Sequence, residues 1–252
     1  MDGQSGAAAW PGGALFVSDL HLSSRRPETV DLFAGFLAGP ARQAEALYIL
    51  GDLFDYWLGD DDLADPLAHR VCAGLAALTS AGTSVWFLSG NRDFLVGDAF
   101  AAACGLQFLT EQSVREIAGE PTLLLHGDSL CTDDRDYQAF RATVRTPAWR
   151  DQFLAQPLAA RRQYVEDLRR RSEAEKRVKP HELMDANIEA VAEAFRRHGV
   201  SRMIHGHTHR QAGHEMDVDG RRCRRWVLGD WGTTGNALAC DADGCHWLQV
   251  GP

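Results

Sequence analysis

Short apolar runs, rich in β-branched and aromatic residues, recur along the chain and constrain its fold most strongly. We predict buried strands at 14–18, 46–50, 84–88, 122–126, 202–205, 214–218, 224–228 and 246–250. Apolar residues at helical spacing in 28–37 and 67–80 separate the first three runs. Strand–helix–strand alternation, followed by hairpin-like strands, predicts a layered α/β fold with a mixed sheet.

The stretch from 133 to 198 has a different pattern. It contains no strand-like run, and Pro147, Pro157 and Pro180 divide it into helical segments. The length of 252 residues suits one large domain. We therefore predict a single domain over 1–252, with a helical lid inserted at about 135–180.

Polar clusters follow five of the predicted strands. They contain Asp19 and His21; Asp52 and Asp55; Asn91, Arg92 and Asp93; His126 and Asp128; and His207 and His209. Ligands of α/β sheets bind at the carboxyl ends of strands, so these clusters are predicted to meet at one rim. Because strand side chains alternate between faces, each D-x-H or H-x-H pair is predicted to point one way.

Carboxylate, imidazole and amide groups suit a divalent ion such as Mn, Fe or Zn, and the clusters hold no cysteine ligand. The candidate ligands number seven: Asp19, His21, Asp52, Asn91, His126, His207 and His209. One ion does not need seven ligands, which favours two ions that share a carboxylate. Any single cluster is also compatible with an ordinary turn and a hydrogen-bonded histidine. Five clusters in order, each after a predicted strand, favour the metal site.

The order D-x-H, G-D, G-N-R-D, H-G-D and G-H-T-H resembles the calcineurin-like metallophosphoesterase family. The resemblance implies a four-layer sandwich, in which helices flank two mixed β-sheets. It also implies two metal sites that share one bridging carboxylate. One site would comprise Asp19, His21 and His209, the other Asn91, His126 and His207, with Asp52 as the bridge.

Longer strings resemble one branch of this family over about residues 14–230. They include the segments 48–54, 57–61, 90–95, 126–134, 137–141 and 204–210. The resemblance implies hydrolysis of the pyrophosphate bond of a diacylated UDP-sugar in lipid A biosynthesis, with manganese as the usual metal. It also implies substrate contacts at Asn91, Arg92, Asp134, Ser172, Lys176, Lys179 and His207.

The expected mechanism follows from the metal pair. Two divalent ions lower the pKa of a bound water from about 15.7 to about 7, which predicts attack by a metal-held hydroxide. Arg92 is predicted to neutralise charge on the reacting phosphate, assisted by Asn91 and His207. An ion pair between Arg92 and Asp93 or another acid is the alternative.

The insertion interleaves apolar residues with arginines, which predicts an acyl-chain cleft under a basic rim. The apolar set is Tyr137, Phe140, Trp149, Phe153, Leu154 and Leu158, and the basic set is Arg141, Arg145, Arg150, Arg161 and Arg162. The alternative is a set of amphipathic helices that pack their apolar faces on the core. Between 141 and 179, 11 Lys and Arg face 5 Asp and Glu, which predicts peripheral contact with anionic lipid.

Bulk properties exclude several classes of function. The net charge of −9 argues against nucleic-acid binding, and no apolar run approaches the roughly 20 residues of a membrane-spanning helix. Residues 1–13 are small and polar, which we interpret as a frayed end rather than a signal peptide. The scattered cysteines then predict reduced thiols in the cytoplasm, with the spacing of Cys240 and Cys245 as the one hint of a bond. The resemblance and the positive segment together imply a position peripheral on the cytoplasmic face of the bacterial inner membrane. The pattern indicates no obligate protein partner.

Two alternatives stay open from the sequence. One is another phosphoesterase of the same family, acting on a nucleotide or phosphodiester, although such a substrate would not require an aromatic-rich lid. The other is a catalytically silent binding module, although retention of all seven candidate ligands argues against it.

Overall fold

The computed structural model describes residues 13–176 and 185–251, and it describes side chains except at 171–176. The predicted frayed end therefore lies almost wholly outside the described residues. Lys179 lies outside them as well. Ser172 and Lys176 fall within a helix whose side chains are not described at these positions.

Two mixed β-sheets form the centre of the described part of the chain. Their strands are β1 (Ala14–Val17), β2 (Ala46–Ile49), β3 (Ser84–Phe87), β4 (Gln107–Phe108), β5 (Gln112–Ile117), β6 (Glu120–Leu125), β7 (Arg202–His205), β8 (Ala212–Val218), β9 (Arg221–Val227), β10 (Gly235–Asp241) and β11 (Gly244–Val250). The first sheet has the order β11-β10-β1-β2-β3-β4 and the second β5-β6-β7-β9-β8. In the first, β1, β2, β3 and β4 run parallel while β10 and β11 are antiparallel to their neighbours.

Helices cover the outer faces of both sheets. They are α1 (Pro27–Ala38), α2 (Pro66–Ser80), α3 (Asp98–Cys104), α4 (Arg135–Val144), α5 (Pro147–Leu154), α6 (Leu158–Lys176) and α7 (Ile188–His198). Proline occupies the first turn of α1, α2 and α5, where its missing N–H costs no helical hydrogen bond. The Asp65 side chain accepts hydrogen bonds from two backbone N–H groups at the start of α2.

Three apolar clusters hold the layers together. The first joins one face of the first sheet to α1, α2 and α3, through residues such as Leu15 and Phe33. The second lies between the sheets and includes Phe16 and Ile204. The third joins the second sheet to α7, where Phe195 is fully buried. The layer order is therefore helices, sheet, sheet, helix, and the predicted four-layer fold is confirmed.

The structure also contains elements that the sequence analysis missed. They are β4, β5, β10 and α3. The sequence of β10, GNALACD, has few β-branched or aromatic residues, yet it pairs with both β1 and β11 and is buried along most of its length. Helix α3 spans only seven residues, which is too short for a clear helical period.

The expectation that all cysteines are reduced is wrong for one pair. Cys240 and Cys245 face each other on β10 and β11 and form a disulfide bond. Within the described residues, Cys72, Cys104, Cys131 and Cys223 form no disulfide bond. The pairing of β10 with β11 brings Cys240 and Cys245 together, and this register is not readable from a cysteine spacing motif.

Candidate metal centre

The seven predicted ligands follow the ends of β1, β2, β3, β6 and β7, where the two sheets meet. Five of them adopt left-handed backbone conformations: Asp19 (φ 56°), His21 (φ 47°), Asp52 (φ 53°), His207 (φ 68°) and His209 (φ 59°). The D-x-H and H-x-H pairs therefore lie in loops rather than in strands. The predicted convergence is correct, but the argument from strand alternation is wrong.

Asp19, His21 and His209 form one tight group. The Nε2 atoms of the two histidines are 3.3 Å apart. Asp19 Oδ1 lies 3.3 Å from His209 Nε2 and 3.9 Å from His21 Nε2. Their potential ligand atoms all lie within 4.8 Å of one another.

A second group forms around His126. Its Nε2 lies 2.9 Å from Asn91 Oδ1 and 3.7 Å from Asp52 Oδ1, and its ring centroid is 5.1 Å from that of His207. The other carboxylate oxygen of Asp52 lies 3.8 Å from His21 Nδ1. Asp52 thus lies between the two groups.

The arrangement of lone pairs fits bound cations. His126 Nδ1 donates to the carbonyl oxygen of Leu50 at 2.9 Å, so in the neutral ring Nε2 is an acceptor. That acceptor faces the oxygens of Asn91 and Asp52, and lone pairs that face one another require a proton or a metal ion between them. Asp19 Oδ1 is buried without a hydrogen-bond partner, as a ligand atom would be.

The pKa values of the histidines depend on two opposing effects, burial and the charges of neighbouring groups. Burial lowers the pKa of His126, but Asp52 and Asp19 outweigh it and raise the pKa to about 9. Burial and the charge of His126 lower the pKa of His207 to about 3, so this imidazole is neutral, as a metal ligand must be.

Two glycines allow the loops to approach this closely. A Cβ atom at Gly90 would lie 2.1 Å from Asp52 Oδ1, and one at Gly206 would lie 2.3 Å from Asp19 Oδ2. Asp93 braces the same loops, because its carboxylate accepts backbone N–H groups of Gly90 at 2.8 Å and of Leu53 at 2.7 Å. These contacts make Asp93 a support of the two turns.

Arg92 lies beside the centre and forms an ion pair with Asp55. Its Nη1 donates to Asp55 Oδ1 at 2.9 Å, and its Nε lies 3.8 Å from Asp52 Oδ2. Asp93 accepts backbone N–H groups instead, so the alternative of an ion pair is confirmed with another acid rather than with Asp93.

Sequence reasoning missed several residues that support the site. Tyr137 donates its hydroxyl to Asp128 Oδ2 at 2.8 Å, and its ring stacks on His207 at a centroid distance of 5.9 Å. Asp128 also accepts from Arg141 Nε at 2.8 Å. The backbone N–H of Trp231 donates to the Asp19 carbonyl at 3.1 Å. Tyr137 was predicted in the acyl-chain cleft and within the segment 137–141 of the resemblance, but not against His207. Trp231 had no signal in the sequence.

The predicted acyl-cleft residues divide into two sets. Phe153 is buried in the first apolar cluster, and Trp149 and Leu154 pack against it. For these three the amphipathic-helix alternative is correct. Phe140 in α4 remains exposed, as does Tyr164 in α6, which was not in the predicted set.

The predicted basic rim is largely paired with acids. Arg161 contacts Asp61, Arg162 contacts Asp62, and Arg141 contacts Asp128 and Glu111. Arg145 donates to the carbonyl oxygen of Gly90 at 2.9 Å, which links α4 to the metal centre. Much of the positive charge therefore binds the helices to the core.

Asp134, a predicted substrate contact, occupies the first position before α4. Its side chain accepts the backbone N–H of Tyr137 at 3.2 Å. Helix α4, which follows, places the ring of Tyr137 against His207. Asp134 is therefore linked to the second group of ligands through Tyr137.

Comparison with known proteins agrees with the geometry. The family described as calcineurin-like phosphoesterase matches residues 14–211, and the chain belongs to this family. Among its relatives are three proteins named UDP-2,3-diacylglucosamine hydrolase. That of Aromatoleum aromaticum is 53% identical over 95% of this chain and 94% of the relative. Those of Edwardsiella ictaluri and Cellvibrio japonicus are 46% and 48% identical, over 94% and 91% of this chain and 91% and 95% of theirs.

Within the described residues no helix is both long and apolar enough to cross a membrane.

Proposed function

We propose that this enzyme hydrolyses the pyrophosphate bond of UDP-2,3-diacylglucosamine, giving UMP and 2,3-diacylglucosamine 1-phosphate. The observation that carries the proposal is the convergence of two ligand groups around Asp52, with the guanidinium of Arg92 beside them. The names of the relatives, which align over almost their whole length, support the choice of substrate.

We propose two divalent ions, manganese being our first choice, at this centre. Asp19, His21 and His209 would hold one ion and Asn91, His126 and His207 the other, with Asp52 shared. When bound, the ions supply an activated water and neutralise charge on the phosphoryl oxygens.

The side chains around the centre would orient the substrate. Arg92 presents a planar guanidinium to the pyrophosphate, which fits phosphate oxygens well. The Asn91 amide oxygen points at His126, so its amide nitrogen is the part that can donate to substrate. Asp134, Ser172, Lys176 and Lys179 remain proposed substrate contacts.

We propose that α4, α5 and α6 act as a lid for the diacylated sugar, with the acyl chains close to Phe140 and Tyr164. The positive excess between 141 and 179 supports peripheral binding to the anionic cytoplasmic face of the inner membrane. Arginines that are paired with acids contribute little to that binding, so we expect it to be weak and sensitive to salt.

The decisive assay compares substrates after metal removal and replacement. Chelated enzyme should release no UMP from UDP-2,3-diacylglucosamine, and Mn²⁺ should restore release. Bis(p-nitrophenyl) phosphate should be a far poorer substrate, because it lacks the sugar, the nucleoside and the acyl chains. Equal or faster cleavage of bis(p-nitrophenyl) phosphate would favour a general phosphodiesterase instead.

Two variants separate metal binding from charge neutralisation. Asp52→Ala should lower turnover by at least about 10³-fold and reduce the metal content measured by elemental analysis, because the shared ligand is lost. Arg92→Ala should lower turnover by about 10²-fold to 10³-fold with metal content unchanged. Near-normal turnover in Asp52→Ala would refute the two-metal centre.

A further inference from the structure

Asp55 lies between two arginines and binds each with a different oxygen. Its Oδ1 accepts from Arg92 Nη1 at 2.9 Å, and its Oδ2 contacts Arg169 Nη2. The side chains of Arg92, Asp55 and Arg169 are 15%, 21% and 14% exposed. Solvent and salt therefore screen these contacts less than they screen surface pairs.

Tyr56 adds a second contact between the two arginines. The guanidinium carbons of Arg92 and Arg169 lie 5.0 Å and 5.2 Å from the centroid of its ring. Both distances fit cation–π attraction. Asp55 and Tyr56 thus constrain the two guanidinium groups relative to each other.

The sharing of Asp55 has a consequence for the direction of Arg92. A carboxylate with both oxygens available binds an arginine through two parallel hydrogen bonds. Because Arg169 occupies Oδ2, Asp55 offers Arg92 only one oxygen. The Nε of Arg92 then lies on the side of Asp52 and the proposed metal centre, 3.8 Å from Asp52 Oδ2.

Arg169 belongs to α6, and α6 is tied to the core by further ion pairs. Arg162 contacts Asp62 at 2.8 Å, and Glu166 contacts Arg25 at 3.0 Å. The position of Arg169 therefore depends on the docking of α6.

We infer that Arg169 is a positioning residue that holds Arg92 in its productive orientation by occupying one oxygen of Asp55. The inference rests on the proposed function. The orientation of Arg92 beside the proposed metal centre then depends on α6, a helix of the insertion. The site is complete only when α6 is docked on the core.

The first test compares Arg169→Ala with a matched control, Arg25→Ala. Both variants remove an ion pair between α6 and the core, but only the first frees Asp55. Arg25→Ala leaves Glu166 paired with Arg169 Nη1 at 3.0 Å and leaves the contact between Arg169 and Asp55 in place. Arg169→Ala should lower kcat and kcat/KM for UMP release by 10-fold to 100-fold, a loss typical of groups that orient an active-site side chain. Arg25→Ala should stay within twofold of the wild type. Equal activities in the two variants would overturn the inference.

The second test distinguishes positioning from direct contact with substrate. If Arg169 acts through Arg92, Arg169→Ala should change the activity of an Arg92→Ala enzyme by less than twofold. A full multiplicative loss in the double variant would show that Arg169 acts independently, which contradicts the inference. Metal content should match the wild type in each variant.

Two further measurements keep the outcomes separate. Thermal unfolding identifies any variant that fails to fold, and Arg169→Met, which keeps a long side chain without an N–H donor, then replaces Arg169→Ala. A wild-type enzyme that releases no UMP would refute the proposed function. An active wild type with a normal Arg169→Met variant would refute the positioning role alone.

Discussion

Gly90 lies directly against the carboxylate of Asp52, and a methyl group has no room there. Gly90→Ala would place a Cβ atom 2.1 Å from Asp52 Oδ1 and 2.4 Å from its backbone nitrogen. We expect Asp52 to be displaced, with at least about 100-fold lower UMP release and a stability loss of about 1–3 kcal/mol. Enzyme assays and urea denaturation measure both effects.

Gly35 provides the matched control for this substitution. It lies in α1, and a Cβ atom there would have no neighbour within 4 Å. Gly35→Ala should stabilise the protein by about 0.5–1 kcal/mol and leave activity unchanged. Full activity in Gly90→Ala would show that the loops tolerate a shift of Asp52.

Sequence alone predicted which residues meet at the site better than it predicted how they meet. Asp19 and His209 were found because their residue types and their positions after strands are visible in the sequence. Their left-handed backbones were not, because neither residue type requires that conformation. The acid that pairs with Arg92 was left open for a related reason, since Asp55 and Asp93 are equally plausible acids until the loops are in place.

Among the elements, α6 is attached to the core in part by one buried arginine, Arg161. Arg161 is 1% exposed and donates to the carbonyl oxygens of Leu58 and Gln156 as well as contacting Asp61. Arg161→Ala would leave these carbonyl groups without their donor. We expect a loss of about 2 kcal/mol in the free energy of unfolding, measured by urea denaturation.

Arg162→Ala is the comparison for stability. This arginine is about half exposed, and its contact with Asp62 is an ordinary surface pair. The expected cost is below about 0.5 kcal/mol. If both variants lost the same free energy of unfolding, the buried hydrogen bonds of Arg161 would stabilise the protein no more than the exposed ion pair of Arg162 does.

Elements with a strong hydrophobic period were predicted, and elements that depend on context were not. Helix α2 shows its period and its proline clearly, so its limits were nearly correct. Strand β10 is built of small residues that become buried only because β1 and β11 lie on either side. The burial of Phe153 was also hidden, because an apolar helix face looks the same whether it meets a lipid or the core.

For the whole molecule, metal binding and stability should be linked. Ions that bind only the folded chain stabilise it, by about 2.7 kcal/mol at a concentration 100 times the dissociation constant. For a chain of this size we expect Mn²⁺ to raise Tm by roughly 5–10 °C after chelation. Asp52→Ala should show a smaller rise, and an equal rise would place the ions elsewhere.

The four-layer architecture was predictable because the motif order resembles a family whose fold is known. The hydrophobic pattern alone indicated only a mixed α/β fold. The pairing of Cys240 with Cys245 was not predictable in the same way, because it depends on the register of β10 and β11.

Stability and hydrolysis make opposite demands on the five ligands with left-handed conformations, which are Asp19, His21, Asp52, His207 and His209. Such conformations cost non-glycine residues about 1 kcal/mol or more each, and glycine adopts them freely. Exchanging one of these residues for glycine would relieve this cost, but it would also remove a metal ligand and add entropy to the unfolded chain. The centre persists only where hydrolysis itself is under selection, so heat-resistant variants should be screened for metal content at every round.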